Sequence, residues 1–462
     1  MKKMGKRVLS ALAVLLVCLM GCSCGKGPKE QTRVPLKAFT VCDSTGAVLL
    51  QTQQRGALYD TEYWAYLELA LDEAVQLIAE AEGCDTADAQ NLLRTQGYTI
   101  RTAFDKTAFE ALKILETQWE TVCDAACALT DLHGGLVAVY CTDPEEKQIN
   151  YLTQRHSPYS SFKALSVYTP AMEKGIAHWS SLYEDAPYKQ IENEAGQLQD
   201  WPANVTNTYS REKVPVYEAL RISLNTVAVK CLADVGVQES VEFLQKGFGI
   251  PLKEEQYVIE TYGEEEVLGS IALGYLETGI TPVEMAGYYQ IFANGGLYAA
   301  PKAVTGIIRE DGSVLYQRQL QEKQVVSQAT ADAMNRLLRG VVAPGGTGAQ
   351  AYCKDVEVAG KTGTGDDYKD NWFVGVTPGY SLAVWHGKNE SNRAAELFAE
   401  VVNKLYQALP NANRKFVTHK NLQQLAYCTR SGKAFSEGCT SIETGYYVSK
   451  DALPQCDVCN KP

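Results

Sequence analysis

A serine followed three residues later by a lysine, in "HSPYSSFKALSVYTP", places the tightest constraint on this chain. Pro158 and the apolar positions Phe162, Leu165 and Tyr168 predict a helix opening near Ser160, and residues three apart on a helix share a face. Lys163 then reaches the Ser160 hydroxyl. Of the two adjacent serines only Ser160 has this spacing, while Ser161 points about 100° away around the helix. Serine is a weak nucleophile, and a lysine desolvated among apolar neighbours becomes neutral enough to act as its base. The helix N-terminus would add N–H groups and a positive dipole end for a developing oxyanion.

Such a spacing is common by chance, so its weight depends on company. Ser223-Leu224-Asn225, in "ALRISLNTVAVK", lies between two helical runs and sets a hydroxyl and an amide two residues apart. Alone it would read as a helix cap and a solvated polar residue. Lys361-Thr362-Gly363-Thr364, in "VEVAGKTGTGDD", ends an alternating strand. There Gly363 lets a peptide backbone approach, and Lys361, Thr362 and Thr364 can hold a carboxylate. Alone it would be a lysine in a flexible glycine turn.

In the order Ser-x-x-Lys, Ser-x-Asn, Lys-Thr-Gly, the three resemble the signature of penicillin-binding proteins and serine β-lactamases. The segments "YEDAPY", "GSIALGYLETGITPVEMAGYYQIFANGGLYAAP", "GVVAPGGTGAQA" and "VAGKTGTGDDYKDNWFVGVTP" resemble, in family order, the transpeptidase domain of class A penicillin-binding proteins. Upstream, "GYTIRTAFDKTAFEAL" is similar to that family's linker strand and helix. The resemblance implies an α/β (α+β) fold of the β-lactamase/transpeptidase type, an antiparallel sheet flanked by helices with a helical subdomain. The domains expected are a helical N-terminal region over 34–133, the transpeptidase domain over 134–405 and a cysteine-containing module over 406–462.

The same resemblance implies roles. Ser160 would be the nucleophile and Lys163 its base; Ser223 would relay protons to the leaving amine; Asn225 would hold the substrate amide; Lys361 would tune Ser223 and the local potential. Thr362, Gly363 and Thr364 would bind the substrate and its terminal carboxylate, with the N–H groups of Ser160 and Thr364 forming the oxyanion hole. The implied substrate is the D-Ala-D-Ala end of a peptidoglycan stem peptide, with β-lactams as mimics and inhibitors and with no metal or cofactor. A D,D-carboxypeptidase, a serine β-lactamase using Glu184 or Asp185 as a second base, and a catalytically idle sensor or scaffold are the alternatives.

Three departures stand out. Tyr159 replaces the family's usual glycine and Ala164 its frequent proline, so a reshaped start to the catalytic helix is expected. Pro170 would clash with the Ser166 carbonyl and kink or end that helix, at about 3 kcal/mol if unrelieved. The stretch between Cys22 and "GYTIRT" is also too short for the glycosyltransferase domain that class A members carry before the linker. A separate glycosyltransferase is therefore an expected partner.

The opening is basic, with Lys2, Lys3, Lys6 and Arg7, and leads into the short apolar run "VLSALAVLLVCLM". This reads as an export signal over 1–21, too short for a typical membrane span. "LMGC" resembles a bacterial lipobox, implying lipidation of Cys22, a tether over 22–33 and attachment to the extracytoplasmic face of a membrane. Two acyl chains at ~0.8 kcal/mol per CH₂ would make that attachment stable. The tail resembles an ending seen in some Gram-positive members of the family. A net charge of −12, more negative still without the basic opening, argues against nucleic acid as a partner.

The chain has 14 cysteines, and in an exported protein they can form disulfides. For Cys428, Cys439, Cys456 and Cys459 the spacings fit no standard zinc finger, so disulfides are expected. Helical periodicity predicts two helices between Leu58 and Gly97. Hairpins are expected on either side of "TDPEE" and of Pro378-Gly379.

Overall fold

Asn371–Val376 is buried at every position and Tyr380–His386 at all but the first, as central strands covered on both faces must be. They form the expected hairpin across Pro378-Gly379. In this computed structural model, which describes residues 35–118, 124–142, 149–193, 195–387, 390–417, 422–449 and 453–459, the pair anchors one of two five-stranded sheets. The export signal, Cys22 and the tether fall outside the described residues. Among those described, no helix is long and apolar enough to cross a membrane.

The first sheet joins β1 (Phe39–Cys42), β2 (Val48–Thr52) and β3 (Thr99–Thr102) to β6 (Val304–Ile308) and β7 (Val314–Gln317), in the order β7-β6-β3-β1-β2. The second contains β4 (Ala125–Asp131), β5 (Leu136–Cys141), β8 (Ala359–Thr364), β9 (Asn371–Val376) and β10 (Tyr380–His386), all antiparallel, in the order β8-β9-β10-β4-β5. Successive residues of a strand face opposite sides. On β9, Phe373 packs edge-on against Phe398 of the helix Ala394–Ala408, with centroids 4.8 Å apart. Its neighbour Trp372 therefore faces the other way and donates from Nε1 to Ser157 O at 3.0 Å, next to the candidate nucleophile.

The expected N-terminal helices are Trp64–Glu82 and Thr86–Thr95, the second capped by Asp85. The first bridges the sheets: Tyr66 OH donates to Leu136 O at 2.9 Å and to Ala303 O at 3.4 Å. The short strands β1 and β2 were not anticipated. They pair only with other short segments, so no run long enough to show alternation marks them. "GYTIRTAFDKTAFEAL" forms β3 and the helix Lys106–Leu112. The turn of the hairpin expected around "TDPEE", residues 143–148, lies outside the described residues, and Ile149–Leu152 form no strand. β5 pairs with β4, upstream across residues 132–135, where Asp131 Oδ1 accepts from His133 N and Gly135 N. The boundary expected at 133/134 falls in that turn, and Ala125–Asp131 is an interior strand of the second sheet.

Near the C-terminus β11 (Gln423–Cys428) pairs with β12 (Ile442–Tyr447). The pair docks through aromatic contacts. Trp179 stacks on Tyr217 at 5.3 Å and meets Tyr446 edge-on at 5.2 Å, while Tyr447 OH donates to Ser180 Oγ at 2.8 Å. The disulfides expected among Cys428, Cys439, Cys456 and Cys459 are not formed. The four are free thiols whose sulfurs lie within 4.8 Å of one another.

Candidate active site

The nucleophile turn begins at Tyr159, whose φ of 47° lies in the left-handed region that favours glycine. Where the resemblance implies glycine, a tyrosine thus holds a backbone conformation that glycine adopts most readily. Its N–H donates to Gly274 O at 3.0 Å, and its ring packs edge-on against Tyr275 at 5.0 Å. Ser160 and Ser161 follow in a single 3₁₀ turn. Ser161 is fully buried and its hydroxyl donates to Pro158 O at 2.5 Å, so it serves the turn. The half-buried Ser160 hydroxyl makes no hydrogen bond among the described residues.

Lys163 continues into a π-helical stretch, Ala164–Tyr168, and then the helix Thr169–Glu173 with Pro170 in its first turn. The wider turn resolves the expected clash. Thr169 N bonds Ala164 O, and the Ser166 carbonyl left by proline accepts from Ser240 Oγ at 2.6 Å. Pro170 thus neither breaks the helix nor leaves an orphan acceptor.

Ser223 reaches the site by a helix ending. The helix Val216–Arg221 closes with Ser223 N bonding Leu220 O at 3.2 Å and Leu224 N bonding Ala219 O at 2.9 Å. This is a Schellman pattern with Ser223 at the left-handed position, φ 62°. The next helix starts at Asn225, whose N–H donates to Asn204 Oδ1 at 2.9 Å. Asp185 fixes that arrangement, accepting from Asn204 Nδ2 at 2.7 Å, Thr226 Oγ1 at 2.7 Å and Ser210 N at 2.8 Å. Burial pushes its carboxyl up, but the hydrogen bonds from Ser210, Thr226 and Asn204 outweigh this and hold it below the usual range.

Two fully buried lysines meet at Ser223. The Lys163 amine donates to Asn225 Oδ1 at 2.5 Å and Ser223 O at 3.0 Å, with Ser223 Oγ at 3.5 Å. The Lys361 amine contacts Ser223 Oγ at 2.9 Å, Thr362 O at 3.0 Å and Thr362 Oγ1 at 3.3 Å. Burial, reinforced by the charge of Lys361, pushes Lys163 well below the usual lysine range. Burial brings Lys361 down to about 7. A neutral amine has two donors and one lone pair, and Lys163 has two carbonyl-type acceptors to satisfy, leaving its lone pair for a hydroxyl proton.

β8 is a sheet edge laid against the nucleophile turn. A Cβ on Gly363 would lie 2.4 Å from Pro158 O, so glycine is required for this approach. Thr362 Oγ1 shares a hydrogen bond with Thr347 Oγ1 at 2.9 Å. Asn392 Nδ2 donates to Gly363 O at 2.8 Å and Thr364 Oγ1 at 2.8 Å. Lys163, Ser223, Asn225, Lys361 and Thr362 thus form one hydrogen-bonded cluster, with Gly363 and Thr364 beside it. The expected Lys163 to Ser160 hydrogen bond is not made here. Sequence reasoning missed Thr347, Asn392, Asn204 and the role of Asp185. Thr347 sits within the resembling segment "GVVAPGGTGAQA", which was the available signal for it.

Residues 126–407 match the family model described as the penicillin binding protein transpeptidase domain. Penicillin-binding protein 1A of Clostridium botulinum is 34% identical over 264 residues, 54% of this chain and 30% of its own length. Penicillin-binding protein 1F of Bacillus subtilis is 30% identical over 372 residues, 76% of this chain and 48% of its own. The chain thus spans less than half the length of both. Among solved structures, the D,D-transpeptidase domain of a peptidoglycan glycosyltransferase from Eggerthella lenta has a TM-score of 0.61 at 18% identity, covering 81% of this chain and 99% of that one. PonA1 from Mycobacterium tuberculosis in complex with penicillin V has a TM-score of 0.60 at 21% identity, covering 76% and 95%. These structures share the fold: antiparallel sheet, flanking helices and helical subdomain.

Proposed function

Since the chain belongs to the penicillin-binding protein transpeptidase family, we propose that it is a serine D,D-transpeptidase that cross-links peptidoglycan stem peptides ending in D-Ala-D-Ala. The observation that carries this is the buried Lys163 amine, held by Asn225 and Ser223 and pushed by burial well below the usual lysine range, which favours the neutral form with a lone pair to offer. Lys163 takes the Ser160 proton as Ser160 Oγ attacks the carbonyl between the two D-alanines. The N–H groups of Ser160 and Thr364 receive the oxyanion. On collapse the C–N bond breaks, and Ser223, bridging the two lysines, hands a proton to the departing D-Ala amine. Lys163 passes its proton to Ser223, restoring both groups; an acceptor amine from a second stem peptide then attacks the Ser160 ester, giving a proton to Lys163, which hands it to the departing Ser160 oxygen as the cross-link forms.

Thr362, Gly363 and Thr364 line the edge strand along which the substrate lies, and the Lys361 charge with the two threonine hydroxyls draws its terminal carboxylate. A β-lactamase needs a second base to hydrolyse the ester. Asp185 is occupied by Asn204, Thr226 and Ser210 and does not supply one. The Cys22 lipid anchor, the extracytoplasmic location and a separate glycosyltransferase partner belong to the same proposal. They follow from the sequence's resemblance to exported lipoproteins and class A members.

The test is acylation by a fluorescent penicillin, followed by intact mass, in the parent, Ser160→Ala and Ser161→Ala. A lasting adduct that only Ser160→Ala loses is expected. Rapid turnover would indicate a β-lactamase, and no adduct in the parent would overturn the enzymatic reading. Release of free D-Ala from a stem pentapeptide without acceptor would favour carboxypeptidase over transpeptidase.

A further inference from the structure

The C-terminal module holds a second constellation that the peptide chemistry does not use. Among the described residues its own buried apolar core is Tyr427, Tyr447 and Leu453. Segments this small rarely hold together without a cross-link or a metal. Beside that core, Cys428, Cys439 and Cys456 form a cluster with Cys459 packed on it.

Three separate pieces of chain bring these sulfurs to one point. Cys428 ends β11 in a turn closed by Cys428 N to Lys433 O and Gly432 N to Cys428 O, both 2.8 Å. In the β11–β12 ladder Cys428 pairs with Ile442, which puts Cys439, just upstream of Ile442, beside it. Cys456 is pinned by its N–H to Ala434 O at 2.9 Å, and Cys459 follows on the same short segment. All four Sγ atoms lie within 4.8 Å of one another, and those of Cys428 and Cys459 are 3.6 Å apart. A disulfide needs about 2.05 Å. Four sulfurs around one ion at about 2.3 Å, in tetrahedral array, stand about 3.8 Å apart.

Donors point at the sulfurs. Ser431 Oγ donates to Cys456 Sγ at 3.2 Å, Ser436 N donates to Cys439 Sγ at 3.4 Å, and Ser436 Oγ lies 3.4 Å from the same sulfur. Such contacts orient and neutralise thiolates around a bound cation. Two independent disulfides would require only pairwise proximity. Convergence of all four, with donors on two of them, is the pattern of a single centre.

We propose that Cys428, Cys439, Cys456 and Cys459 bind one Zn²⁺ as four thiolates, and that this ion is what holds the C-terminal module folded. The expectation of a chain without metal gives way to a structural zinc site away from the catalytic serine. The irregular spacing that counted against zinc has a physical origin: the first two ligands are brought together by strand register rather than by a short knuckle. Four-coordinate sulfur leaves no open position, so the ion has no chemical role at the serine. The module packs on Trp179 and Tyr217, and Tyr217 lies in the helix leading to Ser223.

The test uses the full chain without a polyhistidine tag. Elemental analysis is expected to find one zinc per chain, released on mercurial titration of the thiols. The double variant Cys428→Ser/Cys456→Ser should lose at least nine-tenths of it, and Co²⁺ exchange should give thiolate charge-transfer and tetrahedral d–d bands. Should the variant fail to fold, native and denaturing mass spectra of the parent decide. A zinc adduct that disappears on denaturation together with four free thiols supports the site. A metal-free chain with those four cysteines in two disulfides overturns it.

Discussion

The catalytic cluster and the cysteine module are both built from residues far apart in sequence, but they are held by opposite means. Lys163 and Lys361 sit at zero exposure inside a core that extends through both sheets, so the fold imposes their positions and tolerates their desolvation. Among its described residues the module has a separate buried core of just Tyr427, Tyr447 and Leu453, and on the zinc proposal it is held by what its sulfurs bind. A large core can support destabilising chemistry, whereas a small one needs its chemistry for support. Each region should therefore fail in its own way.

The largest effects are expected from a crossed pair of perturbations. Lys163→Ala should lower the rate of acylation by a fluorescent penicillin at least about a thousandfold, because Ser160 loses its base, while the module's zinc content stays unchanged. Stripping the metal with a strong chelator under reducing conditions should do the converse. Hydrogen exchange over 423–459 should rise towards unfolded rates while acylation stays within several-fold of the untreated chain. Loss of acylation equal to that of Lys163→Ala would show that the two regions are one cooperative unit.

A smaller break is aimed at the contact between the edge strand and the nucleophile turn. Gly363→Ala places a Cβ 2.4 Å from the Pro158 carbonyl, and backbone on both sides has to move. A displacement near 1 Å at a reacting group costs about a hundredfold, so acylation should fall by roughly that factor. Melting temperature should change little by comparison. A stability loss without a rate loss would mean that the strand, and not the turn, gives way.

Much of this site was legible in sequence because chemistry is written in short spacings. Ser160 to Lys163, Ser223 to Asn225 and Lys361 to Thr364 are local patterns, and the order in which they occur ties them together. What was not legible lies in contacts without a local signal. Asp185 reads as an available acid until Asn204, Thr226 and Ser210 are seen around it, and Asn392 meets the edge strand only after the sheet has formed. Pro170 reads as a helix breaker because a π-turn and the Ser240 hydroxyl that relieve it are invisible in its neighbours. The cysteine tail was misread for the same reason: register in β11–β12, not spacing, brings Cys439 to Cys428. Likewise β5 is recognisable as a strand, but its pairing with β4 depends on the Asp131 turn, where one carboxylate oxygen accepts from two backbone N–H groups.

The pH dependence of stability sharpens the claim that the large core supports strained chemistry. Lys361 titrates near 7 when folded and near 10.5 when unfolded. Between those values the unfolded chain binds the extra proton, so stability rises with pH, by about 1.4 kcal/mol per unit from this lysine, and the gain is absent below about 7. Urea midpoints from pH 7 to 9 should show this rise in the parent and a shallower one in Lys361→Met. Equal slopes would mean that Lys361 is solvated and its hydrogen bonds to Ser223 and Thr362 are broken in solution. Acylation should fall at low pH, as Lys163 gains a proton and loses its lone pair.

The smallest effect expected is at Tyr159, where two terms oppose. A left-handed φ costs a residue other than glycine on the order of 1–2 kcal/mol, and Tyr159→Gly removes that cost. The same change deletes the edge-on contact with Tyr275, worth about 0.5–1.5 kcal/mol beyond area, and the packing of the ring on Gly365. Tyr159→Gly alone should therefore shift the melting temperature little in either direction. In a Tyr275→Ala background, where the aromatic contact is already gone, the glycine should stabilise, and the difference between the two backgrounds measures what Tyr275 contributes. A glycine that destabilises equally in both would mean that the Tyr159 ring is held by the Gly365 side of the strand. The tyrosine would then act as a wedge between the nucleophile turn and the Lys-Thr-Gly edge, independent of Tyr275.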